Sequence, residues 1–374
     1  MIYIHIPFCK QKCSYCNFHF STSLNLKDEM LSAIKKEIGL RKNELNDKNL
    51  QSLYFGGGTP SVLSVDEICS LTDEVRKYFA FENDIEITLE ANPDDLNSKF
   101  LKELSRTEIN RLSIGTQSFF DEDLKLMNRA HNASEADASI KRAQDSGFEN
   151  ISIDLIYGSP TSDFEIWKQN LQKTIELEVS HVSSYALTIE PKTALQNWIS
   201  KNKIKAPKES EQNKEFYYMT DFFRENGFDH YEISNFGKPD FYSKHNTAYW
   251  KYREYLGIGP SAHSYNGDNE RSWNIASNPL YIKKLNENIL PKETEILSET
   301  DQYNEMLMIG LRTIWGVDIL KMKEKFSSEI MEKFYHEIQP KMENSILIIE
   351  NNHLKIPEKH WFMADGIASD LFVL

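Results

Sequence analysis

Three of the four cysteines lie within a short stretch near the start of the chain, at Cys9, Cys13 and Cys16, whereas Cys69 stands alone. A disulfide framework needs an even set of cysteines distributed through the chain, and the spacing here is different. The Cys-x3-Cys-x2-Cys pattern instead predicts a loop of metal-ligating thiolates. Cys69 falls within a helical pattern and is predicted to be a buried, apolar thiol rather than a fourth ligand.

Three neighbouring thiolates suit two kinds of metal centre. A zinc ion takes four ligands, and His5 or His19 can supply the fourth. A four-iron iron–sulfur cluster normally takes four cysteines, so a set of three leaves one iron with an open coordination position for another molecule. The spacing alone leaves both centres open.

Strands and helices that alternate along the first half of the chain must position this loop. The strand-like runs cover residues 2–6, 53–55, 85–90, 111–117, 151–157 and 181–187. Helical patterns separate them, and one helix is predicted to begin with a capping box of Asn132 and Glu135 and to end at Gly147. Most strands begin about 30 residues apart, the length of a strand–helix repeat, which predicts a parallel sheet, either open or curved into a partial barrel. The cysteine loop follows the first strand, at the edge where barrels build their active sites.

The alternation of residues within these strands predicts what the sheet encloses. In the third run, Ile85, Ile87 and Leu89 share one face, and Glu86 and Glu90 lie on the other. A similar alternation recurs in at least three further strands, although a strand buried on both faces reads as a nearly continuous apolar run. One face of the sheet is therefore predicted to line a cavity that holds a polar ligand. The alternative is an antiparallel sheet with one wet face, which the intervening helices disfavour.

The cysteine loop after a strand, with the aromatic Tyr15 just before the last cysteine, resembles the radical S-adenosylmethionine (SAM) superfamily. The resemblance implies that Cys9, Cys13 and Cys16 hold a [4Fe-4S] cluster and that SAM binds the open iron through its amino and carboxylate groups. In that superfamily, one-electron reduction cleaves SAM and releases a 5′-deoxyadenosyl radical. The implied fold class is α/β, with a partial (β/α)6 radical SAM barrel. Whether this chain cleaves SAM is left open by the sequence.

Further segments resemble the SAM-contacting segments of the branch that contains oxygen-independent coproporphyrinogen III oxidase. The resemblance implies that the SAM-binding residues are Tyr3, Tyr15, Gly57, Gly58, Thr59, Glu90, Gln117, Arg129 and Asp154. Arg129 can pair with the SAM carboxylate, and the acidic side chains can accept hydrogen bonds from the ribose hydroxyls or the amino group. A phosphate-binding loop is an alternative for the glycine run, but no Gly-Lys-Ser/Thr follows it. Each polar residue can also be a hydrogen-bonded group of the core.

Two functions within this branch compete. The oxidase carries a further cysteine two residues past the third, where this chain has Phe18, and a long segment before its first strand. The segment His245-Asn-x-x-Tyr249-Trp250 instead resembles the heme-binding motif of the HemW-type heme chaperones, which implies binding of heme and its transfer to an acceptor protein. An imidazole can bind heme iron, and Tyr249 and Trp250 can stack on a flat macrocycle. The alternative for His245 is a packed, hydrogen-bonded core histidine.

The last part of the chain has a different pattern. Helical segments around residues 306–311 and 326–338 precede two strand-like runs, 346–350 and 353–356, which Asn351 and Asn352 join as a hairpin. We therefore predict a radical SAM partial barrel over residues 1–230, an extension carrying the heme motif over 231–300, and a winged-helix-like α+β domain over 301–374. Winged helices often bind DNA, but this segment lacks a basic stripe, which favours a packing or protein-docking role.

Composition limits the partners and the compartment. The chain has 374 residues, with 43 basic and 57 acidic side chains and a formal net charge of -14. Broad nucleic-acid binding is not expected, because phosphate neutralisation needs clustered Lys and Arg. No run approaches the roughly 20 apolar residues of a membrane span, and the apolar N-terminal stretch is too short for a signal peptide. The expected location is the cytoplasm, with peripheral contact to membrane proteins as a further expectation.

Overall fold

The computed structural model describes residues 1–373 and contains a large mixed sheet, two small sheets and a layer of helices. Its strands are β1 (Ile2–Ile6), β2 (Asn49–Gly57), β3 (Ala80–Ala91), β4 (Arg111–Gln117), β5 (Asn150–Tyr157), β6 (His181–Ala186), β7 (Asp229–Glu232), β8 (Asn235–Gly237), β9 (Leu256–Ile258), β10 (His263–Tyr265), β11 (Glu270–Asn274), β12 (Lys292–Ile296), β13 (Val317–Asp318), β14 (Ile348–Glu350) and β15 (His353–Lys355). Its α-helices are α1 (Lys27–Leu40), α2 (Val65–Arg76), α3 (Ser98–Leu104), α4 (Asp121–Leu126), α5 (Ala133–Asp145), α6 (Phe164–Glu176), α7 (Ala194–Ser200), α8 (Glu209–Glu225), α9 (Lys244–Trp250), α10 (Asn278–Asn286), α11 (Glu299–Gly310), α12 (Ile319–Lys325), α13 (Ser328–Glu343) and α14 (Ala364–Ser369). Short 3-10 helices cover Pro60–Val62, Pro93–Asp95 and Glu358–Met363.

The six strands predicted from the sequence are confirmed, and each pairs in parallel with the next, from β1 through β6. Helices connect them, as the strand–helix spacing requires, and the alternative of an antiparallel sheet with one wet face is wrong for this part of the chain. The α/β class with a partial barrel is confirmed. Because all six strands run in the same direction, their carboxyl ends meet at one edge, which we call the mouth.

The alternation along the strands separates an apolar outer face from a polar inner face. In β1, Ile2, Ile4 and Ile6 are fully buried in the core, together with Met30 and Ile34 of α1. These apolar side chains hold the helices against the outside of the sheet. The helix α5 begins with the predicted capping box of Asn132 and Glu135, and Gly147 follows its end with φ +95°.

Three strands that the sequence did not predict extend the sheet at both edges. The strand order is β7-β8-β6-β5-β4-β3-β2-β1-β9. The strand β9 pairs in parallel with β1, whereas the hairpin of β7 and β8 adds antiparallel to β6. Each of these strands has three or four residues, too few for an alternation to be recognised. Strands before and after residue 230 belong to the same sheet, so the sheet itself marks no domain boundary there. The predicted domain boundary at residue 230 stays a prediction.

A buried ionic network attaches β9 to the first helix. The side chains of Glu37 and Arg41 in α1 are 0% and 1% exposed and form an ion pair of 2.9 Å. Arg41 also donates to the carbonyl oxygen of Gly257 at 2.8 Å, and Glu37 accepts the backbone N–H of Gly259 at 2.8 Å. A further hydrogen bond to the Glu37 carboxylate comes from Asn274 of β11, whose Nδ2 donates at 2.7 Å. Nearly every polar atom of the pair is thus satisfied, as a buried ion pair requires.

The C-terminal segment contains helices α11 to α14 and a small sheet in the order β13-β15-β14. The predicted hairpin is confirmed, because β14 and β15 pair antiparallel and Asn351 and Asn352 turn between them with φ of 50° and 63°. Such positive values are those of the tight hairpin turns that favour Asn. Within residues 1–373, no helix is both long enough and apolar enough to cross a membrane.

We predict that Arg41→Met lowers the free energy of unfolding by about 3 to 5 kcal/mol, because it leaves the Glu37 carboxylate buried without its counter-ion. The matched control is Lys99→Met, which removes the cation of an ion pair whose lysine side chain is 85% exposed and should cost less than about 1 kcal/mol. Urea unfolding followed by circular dichroism measures both. Equal losses in the two variants would contradict the role given to the buried network.

Candidate functional site

The cysteine loop begins where β1 reaches the mouth, and backbone hydrogen bonds hold its first residues. Phe8 accepts from the N–H of Thr59 at 2.7 Å, and the N–H of Cys9 donates to Ser21 at 3.0 Å. The N–H of Gly58 donates to Ile6 at 2.9 Å. The loop is therefore fixed to the glycine-rich turn that follows β2.

Segments from three other connections hold the middle of the loop. Ser14 donates its N–H to Met127 at 3.0 Å, in the turn after α4, and accepts the N–H of Leu195 at 2.9 Å, at the start of α7. Lys10 forms an ion pair of 2.9 Å with Asp94, in the turn after β3. These contacts come from residues far apart in the sequence, so the loop conformation depends on the whole mouth.

All four cysteines are free thiols, and Cys9, Cys13 and Cys16 lie together on this loop. Burial, with a smaller contribution from the neighbouring Cys13 and Cys16, raises the pKa of the Cys9 thiol to about 11. Within residues 1–373 no three His, Cys, Asp or Glu side chains converge closely enough to hold one metal ion. A four-iron cluster is wider than a single ion, and three thiols spread over one loop fit its donor set. Coordination would deprotonate these thiols.

The two histidines considered as zinc ligands have other partners. The Nδ1 atom of His5 lies 3.2 Å from the Tyr3 hydroxyl, and its Nε2 atom lies 2.9 Å from the carbonyl oxygen of His19. The Nε2 atom of His19 lies 2.7 Å from the amide oxygen of Asn278. Neither ring joins the three thiols. Cys69 lies in a helix, α2, and packs against the apolar core, as the sequence predicted, but it is half-buried rather than buried.

The inner face of the sheet carries two carboxylic acids with raised pKa values. Burial raises the pKa of Glu90 to about 7, although its carboxylate accepts from the Tyr54 hydroxyl at 2.8 Å and from the N–H of Gly57 at 3.1 Å. Burial also raises the pKa of Asp154 to about 6, and the Ser113 hydroxyl lies 3.4 Å from it. Both groups can accept hydrogen bonds from a polar ligand at neutral pH.

The glycine run lies between the cysteine loop and these acids. Gly57 has φ +109°, a conformation that favours glycine, and a Cβ atom there would stand 2.4 Å from the ring of His5. A Cβ atom on Gly58 would stand 2.6 Å from the carbonyl oxygen of Phe8. Glycine is therefore needed for the β2 turn to pack against β1, and SAM binding by these glycines stays a prediction.

Arg129 lies between the cysteine loop and the inner face. Its Nη1 atom donates to the Cys13 sulfur at 3.2 Å, and its Nη2 atom donates to Asn92 at 2.6 Å and to the carbonyl oxygen of Gly115 at 2.7 Å. The Nε atom is buried and has no hydrogen-bond partner in the described part of the chain. Gln117 ends β4 on the same side, with φ +67°.

Tyr15 packs against a small apolar cluster that closes one side of the mouth. This cluster contains Met127, Ile156, Leu187 and Leu195. Burial raises the pKa of the Tyr15 hydroxyl, which therefore stays neutral. In the sequence, Tyr15 stands between Cys13 and Cys16. In the structure, its ring packs against Leu187 and Leu195 of the connection after β6.

The predicted heme motif forms the helix α9, which lies against the inner face. His245 is 1% exposed; its Nδ1 atom lies 2.8 Å from the Ser52 hydroxyl and its Nε2 atom 3.0 Å from the Tyr249 hydroxyl. Its ring centroid lies 4.9 Å from that of Tyr54, and burial holds the pKa of the imidazole well below its usual range. Glu86 accepts the backbone N–H of His245 at 3.1 Å and so caps the helix. In this conformation both ring nitrogens are engaged, as in a packed core histidine.

Trp250 lies on a different side of α9 from this pair. The Arg312 guanidinium lies 5.8 Å from the centroid of its ring, and the indole nitrogen has no partner within residues 1–373. The structure thus brings His245 and Tyr249 together, one helical turn apart, and directs Trp250 to the C-terminal segment.

Three residues at the site were missed by the sequence analysis. Asn92 accepts from Arg129 and lies 3.4 Å from the Thr59 hydroxyl. Tyr54 joins Glu90 to His245. Arg111 is 1% exposed and its Nε atom lies 3.9 Å from the Glu86 carboxylate, but Nε and Nη1 have no hydrogen-bond partner in the described residues. The alternation along β2 could have identified Tyr54, because it places Tyr54 two residues after Ser52 and therefore on the same, polar face of the strand. No local pattern marks Asn92.

Glu90 provides a pH-dependent prediction. Its pKa is about 7 in the folded protein and lower when unfolded, so the folded state holds the proton more tightly and stability falls as the pH rises from about 5 to about 8. We expect the free energy of unfolding of the ligand-free protein, relative to Glu90→Gln, to fall by up to about 3 kcal/mol over this range. Urea unfolding at several pH values measures it, with the exposed Glu225→Gln as control. Parallel curves for parent and Glu90→Gln would contradict the assignment.

Comparison with known proteins identifies the family. The Radical SAM superfamily model matches residues 3–172 and the HemN C-terminal domain model matches residues 297–363. The heme chaperone HemW of Lactococcus lactis is 32% identical over 371 residues, covering 98% of this chain and 95% of the relative. That of Bacillus subtilis is 34% identical over 331 residues, covering 88% and 87%.

Among solved structures, coproporphyrinogen III oxidase (HemN) from Escherichia coli aligns with a TM-score of 0.83 and 23% identity, over 100% of this chain and 89% of that one. This likeness shows the fold alone. Membership of the superfamily confirms the [4Fe-4S] cluster and SAM as cofactors. On its full-length similarity to curated relatives, the chain belongs to the HemW heme chaperone family of the radical SAM superfamily.

Proposed function

We propose that this protein is a heme chaperone, which binds heme and SAM and transfers heme to an acceptor protein. The observation that carries the proposal is the similarity to HemW relatives, which extends over 98% of the chain in one comparison. The region of the heme motif lies within that similarity. A heme-acceptor protein is the proposed partner, and docking on membrane proteins, the absence of nucleic-acid binding and a cytoplasmic location stay predictions.

The proposed ligands of the [4Fe-4S] cluster are Cys9, Cys13 and Cys16. Three free thiols on one anchored loop support this assignment, and so does the Arg129 guanidinium beside Cys13, which compensates thiolate charge. The cluster, when bound, supplies an open iron for SAM and a single electron. The protein's own part is to hold the three thiolates at the mouth and to exclude other ligands.

The proposed SAM site is the polar inner face next to that loop. Its residues are Tyr3, Tyr15, Gly57, Gly58, Thr59, Glu90, Gln117, Arg129 and Asp154. The unpartnered Nε atom of Arg129 supports an ion pair with a carboxylate, and the two acids can accept from hydroxyl or amino groups. The raised pKa values of Glu90 and Asp154 mean that each can also hold a proton near neutral pH.

The proposed heme ligand is His245, with Tyr249 and Trp250 beside the macrocycle. The Ser52 hydroxyl at Nδ1 orients the ring in the way that second contacts orient metal-ligating histidines. With Nδ1 in contact with Ser52, the Nε2 atom is the nitrogen proposed to bind iron. It is buried, however, and lies 3.0 Å from the Tyr249 hydroxyl. Heme binding therefore requires Tyr249 to give up this hydrogen bond and α9 to move from the inner face.

The cluster assignment predicts that the triple variant Cys9→Ala, Cys13→Ala, Cys16→Ala loses its iron. After anaerobic reconstitution, the parent should hold about four iron and four sulfide ions per chain, and the triple variant close to none. Iron and sulfide analysis with optical spectra measures this, and Cys69→Ala is the matched control that should keep the cluster. Zinc without sulfide in the parent would restore the alternative centre.

The heme assignment predicts that His245→Ala weakens hemin binding at least tenfold, about 1.4 kcal/mol, because the iron loses its proposed ligand. Tyr249→Phe should bind hemin more tightly than the parent, since the competing hydrogen bond is gone. Hemin additions followed at the Soret band measure both, with the exposed His336→Ala as control.

An unchanged Soret band and affinity in His245→Ala would make this residue a core histidine and remove it from the heme site. A parent protein that binds no hemin, but decarboxylates coproporphyrinogen anaerobically with SAM and a reductant, would replace the chaperone proposal with the oxidase. Phe18, 70% exposed at the position of the oxidase's additional cysteine, argues against that outcome.

A further inference from the structure

The contact between Arg129 and Cys13 concerns the cluster itself, and it is separate from the role proposed for Arg129 toward SAM. The Nη1 atom donates to the Cys13 sulfur at 3.2 Å. An arginine guanidinium stays protonated in proteins, so a fixed positive charge lies within hydrogen-bonding distance of one proposed ligand sulfur.

Two rigid acceptors aim this guanidinium. The Nη2 atom donates to Asn92 at 2.6 Å and to the carbonyl oxygen of Gly115 at 2.7 Å. A Cβ atom on Gly115 would stand 3.0 Å from Nη2, so glycine at this point of β4 permits the close approach. The backbone N–H of Arg129 is itself bonded to Leu124 at 2.9 Å. Groups of the protein itself therefore hold the side chain in this position.

Charge next to a cluster sulfur changes the energy of reduction. A cluster that takes one electron from an external donor becomes more negative by one unit, with no bond broken and no proton required. Hydrogen bonds to the sulfurs and local charge are among the factors that set the potential of such clusters. A buried cation stabilises the more negative, reduced state more than the oxidised one.

We infer that Arg129 is a positioning residue for the cluster, which raises its reduction potential through the N–H···S contact with Cys13, and that Asn92 holds it in place. The inference rests on the proposed ligation by the three cysteines. It differs from a role in SAM binding alone, because it applies when SAM is absent. Asn92 is thus part of the cluster environment, although it contacts no proposed ligand sulfur.

The test uses anaerobically reconstituted full-length protein without SAM, poised at set potentials with dithionite and mediators, and counts the reduced cluster by electron paramagnetic resonance. Arg129→Met should lower the ratio of reduced to oxidised cluster about tenfold at a given potential, which corresponds to about 59 mV for one electron. Arg129→Lys keeps the charge but loses the fork and should give a smaller fall. Asn92→Ala should also lower the ratio, because the guanidinium loses one of its anchors.

The matched control is Arg106→Met, which removes an exposed guanidinium that precedes β4, at the end of the strands away from the cysteine loop. It should keep the parent potential. If Arg129→Met and Asn92→Ala both keep the reduction potential of the parent protein, with iron and sulfide content intact, the inference is overturned. If Arg129→Met takes up no cluster, Asn92→Ala alone decides. Failure of the parent protein to bind a cluster would instead refute the proposed ligation, so the two failures are distinguishable.

Discussion

Polar and charged groups on the inner face of the parallel sheet are the constraint on which the rest of the structure depends. Glu90, Asp154 and Arg111 are carried there by strands whose opposite face is mostly apolar. Such groups are costly to bury without partners, so a second helical layer cannot cover this face as it covers the outer one. Each group is instead partly compensated by its neighbours, as Glu90 is by the Tyr54 hydroxyl and the N–H of Gly57. This arrangement supports the proposed SAM site.

The edges of the sheet determine where the heme motif lies. The buried pair of Glu37 and Arg41 attaches β9 beside β1, and the chain between β8 and β9 must then pass across the inner face as α9. Glu86 caps this short helix, which makes His245 a neighbour of Tyr54. The hydroxyl of Tyr54 donates in turn to Glu90. The proposed SAM site and the proposed heme motif are therefore joined by direct contacts, and occupation of one site can influence the other through them.

The mouth shows the same dependence on distant parts of the chain. The cysteine loop is short and carries little apolar surface, so it has no core of its own. Backbone contacts with Met127, Leu195 and Ser21 keep it ordered, and Arg129 reaches it from the turn after α4. The thiol geometry is thus a property of the assembled barrel.

Much of this protein was determined by the sequence alone. Alternation with a period of two identified six strands and their polar face, because each strand's faces follow from local geometry. The spacing of Cys9, Cys13 and Cys16 separated the proposed cluster ligands from Cys69, and the capping box at Asn132 and Glu135 predicted the start of a helix.

Tertiary structure alone decided the partners across the sheet. The contact between Arg129 and Cys13, the burial of His245 against Ser52 and the pairing of β9 with β1 join residues more than 100 positions apart. Local periodicity carries no information on such distances, since they depend on strand order and on the curvature of the assembled sheet.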